Sequence, residues 1–267
     1  MKFWKYQGAG NDFVMVDQRT ESWLNKSNQL KIEKICNRRF GIGADGLILL
    51  ENHSDFDFEM VYFNADGRES SMCGNGGRCI AAFANHLGIV GDTCLFLAID
   101  GPHEAKIRTS STDASWVELK MTDVNQIEQT EGAFVLNTGS PHYVRFVDHL
   151  AQCDMVREGQ AVRYSKRWEK EGINVNLAGL NKDNKGIDIR TYERGVEDET
   201  LACGTGVTAA AISAFILQNL PFGEFEIPVH AKGGDLSVRF TANPDGSFTN
   251  IWLCGPAERV FEGTIHL

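Results

Sequence analysis

Two stretches of this chain are written twice, and that repetition constrains the fold more than any other feature. GAGNDFVMVD at residues 8–17 aligns with GSPHYVRFVD at residues 139–148, an offset of 131. CGNGGRCIAA from Cys73 aligns with CGTGVTAAA from Cys203, an offset of 130. Two anchors in one order at nearly one spacing mark a duplicated unit, so two related halves are expected.

Each half repeats an order of elements. DFDFEMVYF sets Phe56, Phe58, Met60 and Tyr62 on one face, and GIDIRTYERG alternates Ile187, Ile189 and Thr191 against Asp188, Arg190 and Tyr192. Both spacings predict strands. A polar loop, Cys-Gly-x-Gly and a helix follow each, the helices predicted over about 74–87 and 204–218. The second helix is apolar on nearly every side from Val207 to Leu217 and must therefore be enclosed. Strand patterns at 13–16, 47–50, 94–99, 225–229, 236–240 and 248–253 are numerous enough to wrap a curved sheet around it. The expected fold is α/β: two pseudo-symmetric domains, each a curved mixed or antiparallel sheet around one central helix. The first covers 1–122 and carries Cys73; the second covers 123–257 and carries Cys203; a strand at about 258–267 is free to return to the first. The polar, aperiodic run at 122–132 is expected to connect them.

Charge and cysteine usage narrow the function. A net charge of −10, with no basic window, argues against nucleic acid and anionic membrane surfaces as partners. The most apolar run, residues 207–217, falls well short of the ~20 residues that span a bilayer. The N-terminal MKFWKYQGAGNDF reaches Gly8, Asn11 and Asp12 before the apolar core of a secretory signal develops, so a cytoplasmic setting is expected. Seven cysteines without a Cys-x-x-Cys pair argue against a disulfide scaffold or a structural zinc site. Cys36, Cys79, Cys94, Cys153 and Cys254 are assigned to packing.

Cys73 and Cys203 differ from those five because each begins a buried helix ahead of Gly-x-Gly. Orphan N–H groups and the helix dipole stabilise an anion there, and such placement lowers a thiol pKa from ~8.5 to as little as ~3.5. The glycines let backbone amides approach a carboxylate closely. One such turn would be a helix start over a buried cysteine; two at equivalent positions favour chemistry. Two thiols flanking one carbon suit inversion of a stereocentre, one removing a proton and the other returning one, with the sulfurs roughly 6 to 7 Å apart across a domain cleft. Helix dipoles would stabilise the carbanion and its carboxylate without a cofactor or metal.

KYQGAGNDFVMVD, GIGADGLI, FNADGRESSMCGNGGRC, GSPH and YERGVEDETLACGTG, in this order, resemble the motifs of the diaminopimelate epimerase family over most of the chain. The resemblance implies a pyridoxal-independent epimerase that interconverts LL- and meso-2,6-diaminopimelate on the route to lysine and cell-wall precursors, and a homodimer. By position it implies Cys73 and Cys203 as the acid/base pair and His142 and Glu193 as groups tuning the thiols. It also implies Asn11, Asn64, Asn174, Glu193 and Arg194 as substrate contacts and Gly74, Asn75, Gly204 and Thr205 as helix-start groups around the reacting carboxylate. Two departures stand out: Ser140 where many members have Asn, and Gly46 where some have Gln. The stretch between Met121 and Gly139 is short for the family. Three rival readings are a proline-type racemase, a nonenzymatic amino-acid binding protein and a thiol redox protein. The first leaves Arg194 and the three asparagines without purpose, the second leaves both sulfurs without purpose, and the third would join Cys73 to Cys203 in a reversible disulfide.

Overall fold

The computed structural model describes residues 1–70, 72–130, 132–182 and 185–266. The chain divides into two compact units: Met1–Leu119 with the segment from Gly255 onward, and Lys120–Cys254.

The first unit contains strands β1 (Lys2–Gly8), β2 (Asn11–Asp17), β3 (Gly46–Glu51), β4 (Phe58–Asn64), β5 (Thr93–Ala98), β6 (Gly101–Thr109) and β7 (Ala114–Lys120), with helices α1 (Gln29–Cys36) and α2 (Gly74–His86). The second contains β8 (Ile127–Thr130), β9 (Ala133–Asn137), β10 (Pro141–Phe146), β11 (Asn174–Leu180), β12 (Ile187–Glu193), β13 (Asp198–Thr200), β14 (Gly223–Ala231) and β15 (Gly234–Ala242), with helices α3 (Met155–Arg163) and α4 (Gly204–Leu217). β16 (Phe248–Thr264) begins in the second unit and ends in the first.

The first unit's sheet runs β1 to β7 in sequence order and closes on itself, because β16 pairs antiparallel with β7 and β1. Parallel pairs β2–β3 and β4–β5 make it mixed. α2 lies within, its residues Gly74 to Ala84 all buried. A Cβ on Gly76 would approach Ile48 and Met60, so those inward residues of β3 and β4 define the helix side of the sheet. The opposite face is buried too: Val14, Val16, Leu47, Leu49, Val61 and Phe63 pack with Ile32, Ile35 and Cys36 of α1. The single apolar face expected over 56–62 is therefore a strand that starts at Phe58 and is covered on both sides. α1, held at its start by the Asn28 side chain accepting from the Lys31 N–H at 3.2 Å, supplies the outer cover.

The second unit repeats the plan. Its strands run β16, β15, β14, β12, β11, β10, β9, β8, with parallel pairs at β10–β11 and β12–β14 and β13 alongside β12. α4 is enclosed as its apolar surface requires, and α3 covers the outer residues Val175, Leu177 and Tyr192. Both central helices end on a left-handed residue, Gly88 at φ 70° and Asn219 at φ 50°, one repeat length apart. The following N–H groups of Ile89 and Leu220 return to the carbonyls of Ala84 and Phe215, which satisfies the last turn.

The run 122–132 is more than a connector. Its strand β8 pairs with the following β9, and Val124 bridges Phe248. These pairings give residues 124 and 127–130 a place in the second unit's sheet although the stretch is polar and without periodicity. Backbone pairing needs no apolar face.

Candidate active site

In the first unit the predicted residues gather where β2, β3 and β4 meet the start of α2. Cys73 is the N-cap of α2, half-buried, and its Sγ donates to Asn11 Oδ1 at 3.5 Å. Asn75 Nδ2 donates to the same oxygen at 3.4 Å. The Asn11 amide has a defined orientation, because its Nδ2 donates to Asp45 Oδ2 at 2.6 Å and a carboxylate accepts. Asp45 is held by Arg38 at 2.7 Å, and Arg38 also forks onto Asp12 at 2.9 and 2.6 Å. Buried Lys5 meets Asp12 at 2.7 Å. Burial opposes ionisation of Asp12, but hydrogen bonds from Arg38 and Lys5 outweigh it and hold the carboxyl well below the usual range.

Below the cysteine, Arg78 is fully buried and donates to Asn75 Oδ1 at 3.0 Å and to the Gly74 carbonyl at 3.4 Å. Gly74 and Asn75 are thus buried at the helix start. Asn64, exposed at the end of β4, shares that end of the sheet through its pairing with Gly46, and its carbonyl accepts from the Gly67 N–H at 2.9 Å. A Cβ on Gly46 would lie 2.5 Å from the Phe63 carbonyl, so a larger residue there would need a shift in the backbone.

The second unit assembles its set at the corresponding end. Cys203 caps α4, is buried, and lies 3.5 Å from Thr205 Oγ1. His142, fully buried at the start of β10, meets Thr205 Oγ1 through Nε2 at 2.8 Å and Asn176 Nδ2 through Nδ1 at 3.0 Å. Burial first, and the Arg194 guanidinium second, lower the His142 pKa to about 3, so the ring is neutral near pH 7. Asn174 donates to Ser140 Oγ at 2.9 Å and accepts from the Arg194 backbone N–H at 2.8 Å. Arg194 is exposed, its Nη1 on the Glu171 carbonyl at 2.9 Å. Glu193 ends β12, half-buried, its carbonyl accepting from the Glu197 N–H at 2.8 Å. Gly204 is buried at the helix start.

Each unit therefore brings a capping cysteine to the first-turn residue and strand residue expected beside it. His142 reaches the Cys203 sulfur through Thr205. Sequence reasoning passed over the supports: Asp12, Asp45, Arg38 and Lys5 in one unit, Asn176 and Thr191 in the other. Signals existed, in Asn174 and Asn176 on one face of a core strand and in Arg78 inside an enclosed helix. Burial pushes the packing thiols of Cys36, Cys79 and Cys94 up to about 12. Among the described residues, no group of three or more His, Cys, Asp or Glu is arranged to hold a metal ion.

Comparison with known proteins bears on the family rather than on these contacts. A family model described as diaminopimelate epimerase matches residues 3–127 and 134–260. A diaminopimelate epimerase of Flavobacterium psychrophilum is 48% identical over 99% of this chain and 100% of its own length. One of Chlorobaculum tepidum is 41% identical over 97% and 99%. Among solved structures, a phenazine biosynthesis protein of the PhzF family from Bacillus anthracis superposes with a TM-score of 0.78 at 15% identity, covering 100% of this chain and 99% of that one, a likeness of fold alone. By family model and by identity across its length, the chain belongs to the diaminopimelate epimerase family.

Proposed function

We propose that this chain interconverts LL- and meso-2,6-diaminopimelate by proton transfer through Cys73 and Cys203, without a cofactor. The observation that carries the reading is one local arrangement occurring twice: a cysteine capping an enclosed helix, with a polar side chain within hydrogen-bond reach of its sulfur. Inversion at an α-carbon calls for one group to take a proton from one face and another to return one to the opposite face. As the α-proton leaves, negative charge spreads into the carboxylate. The helix-start groups of Gly74, Asn75, Gly204 and Thr205 are assigned to it, since helix N-terminal N–H groups favour an anion.

Cys203 is assigned as the base toward the LL isomer and Cys73 as the donor. An acceptor, Asn11 Oδ1, faces the Cys73 sulfur and favours its thiol form. The nonreacting end of the substrate carries an ammonium and a carboxylate. Asn11, Asn64, Asn174 and Glu193 are assigned to this end, and Arg194, whose exposed guanidinium offers a fork, to its carboxylate. The second N–H of the Asn174 amide and the Ser140 hydroxyl proton supply further donors, so the hydroxyl replaces an amide without leaving the position mute. His142 and Glu193 complete the set as groups acting on the thiols, His142 as a neutral ring through Thr205.

Incubation with LL-diaminopimelate in deuterium oxide, with a chelator and no pyridoxal phosphate, is expected to place deuterium at the α-carbon as the meso isomer forms. A requirement for pyridoxal phosphate, loss of turnover to the chelator, or preferential turnover of L-proline would overturn the reading. The family likeness also carries the expectations of a homodimer, a cytoplasmic setting and a place in lysine biosynthesis; sedimentation of the purified protein tests the dimer.

A further inference from the structure

We propose that Asn176 is a positioning residue that sets the proton arrangement along His142, Thr205 and Cys203, so that a hydroxyl proton points at the Cys203 sulfur. The inference rests on the reading of Cys203 as an acid/base thiol.

Asn176 is fully buried on β11, and its surroundings dictate how its amide lies. Its Nδ2 end is 3.0 Å from the Tyr143 carbonyl, which only accepts, and its Oδ1 end takes the Thr191 hydroxyl at 2.9 Å. A flipped amide would set oxygen against oxygen at Tyr143. The same Nδ2 lies 3.0 Å from His142 Nδ1. A donor at that distance requires Nδ1 to accept, and a neutral imidazole with a bare Nδ1 carries its proton on Nε2. An imidazolium would face the amide N–H with a second donor, so geometry opposes it independently of burial.

The consequence passes outward. His142 Nε2–H donates to Thr205 Oγ1 at 2.8 Å. A hydroxyl has one proton, and with a donor already on its oxygen that proton is directed to the remaining neighbour, the Cys203 Sγ at 3.5 Å. A donor facing sulfur favours the thiolate. With the opposite tautomer, Nε2 would accept the Thr205 proton and draw it from the sulfur. The charged group that acts on the His142 ring is Arg194, beyond the end of β12; Glu193 falls on the Thr191 side of that strand by alternation. Gly206 belongs to the same device: a Cβ there would lie 2.5 Å from Asn176 Oδ1 and 3.2 Å from His142 Cε1.

The test needs no substrate, so a different amino-acid specificity would overturn the proposed function and leave this inference standing. Long-range proton–nitrogen spectra of protein labelled with ¹⁵N-histidine distinguish the tautomers. His142 is expected neutral with its proton on Nε2 from about pH 6 to 9. A proton on Nδ1, or an imidazolium in that range, overturns the proposal without any variant. Iodoacetamide alkylation, read at the Cys203 peptide by mass spectrometry across pH, gives a second readout. Thr205→Val is expected to raise the half-maximal pH by about one unit, with Thr205→Ser restoring it. Asn176→Ala is expected to raise it by up to about the same amount and to mix the His142 tautomers. A folded Asn176→Ala protein with a wild-type alkylation profile and one tautomer overturns the role of Asn176. If that variant does not fold, Thr191→Val, which frees one end of the amide, is read by the same two measurements.

Discussion

The starts of α2 and α4 are built alike in backbone and differently in hydrogen bonding. Asn11 and His142 occupy matching positions of the repeat, as do Asn75 and Thr205, and within each unit the strand residue touches the helix residue, Asn11 to Asn75 at 3.4 Å and His142 to Thr205 at 2.8 Å. What differs is the partner of the sulfur. Cys73 meets the strand residue, Asn11, through an oxygen that accepts; Cys203 meets the helix residue, Thr205, through a hydroxyl. Behind Asn11 stands an exposed-to-buried ion network of Arg38, Asp12, Asp45 and Lys5; behind His142 stand two neutral groups, Asn176 and Thr191. Duplication kept the scaffold that presents a thiol at a helix start, and the side chains behind it diverged; in the proton arrangement we propose, one thiol is favoured protonated and the other as thiolate. A two-base exchange benefits from that inequality, since one group must begin as base and the other as acid.

The largest expected effect tests whether the inequality is one of roles or of need. Cys73→Ala and Cys203→Ala should each lower kcat for epimerisation by about 10² to 10⁴-fold, the usual weight of a general acid or base, while Cys36→Ala leaves turnover largely intact. Near wild-type turnover in either capping variant would mean that one thiol suffices.

Next in size is a contrast between equivalent glycines. At Gly206 a Cβ meets the clamped Asn176 amide at 2.5 Å, whereas at Gly76 it meets the flexible ends of Ile48 at 3.0 Å and Met60 at 3.3 Å. Gly206→Ala should cost about 1 to 3 kcal/mol by overpacking. Gly76→Ala should be near neutral, because small shifts are offset by the alanine's gain in helix of about 0.5 to 1 kcal/mol. Chemical denaturation measures both; equal losses would dissolve the contrast.

Acid should separate the two units more gently. His142 binds its proton at about 3 when folded against a usual 6.5, so the unfolded chain holds more protons between those values, and stability falls as pH is lowered through that window. Asp12 is depressed, so its contribution is complete above the ordinary carboxylate pKa and is lost only below it. Burial, and then Arg259, also depress His86 in the first unit, but that ring is mostly solvated and adds less. Hydrogen exchange between about pH 7 and 4.5, corrected for intrinsic rates, should therefore show protection falling in β10 and α4 before α2. His142→Gln should flatten the difference.

The smallest effect concerns closure of the two sheets. β16 joins β1 and β7 along registered runs, while in the second unit an isolated bridge pairs Val124 with Phe248. Val124 is 2% exposed, and Val124→Ala should cost about 1 to 2 kcal/mol, confined to exchange of β8 and the neighbouring end of β16. Loss of protection throughout α4 would show that this bridge holds the whole sheet.

Much of this was legible in the sequence. The repeat offset, the period-two strands, the apolar helix and the two Cys-Gly-x-Gly turns are local patterns, and local patterns survive in one dimension because backbone geometry decides them. They led to the sheet wrapped on a helix, to both cysteines and to their neighbours at the helix starts. Only the tertiary structure revealed that residues 124 and 127–130 pair into a sheet, since ladder hydrogen bonds leave no apolar signature, and that α1 covers β2 to β4 from outside. Likewise, nothing in the order of residues says whether an amide turns its oxygen or its nitrogen toward a neighbour. Asp45 decides that for Asn11, and Tyr143 with Thr191 decides it for Asn176, through contacts between residues distant along the chain. The sequence by itself determined that there are two thiols at two helix starts; folding decided which meets an amide oxygen and which a hydroxyl, because a side chain's hydrogen-bond partners depend on three-dimensional neighbours.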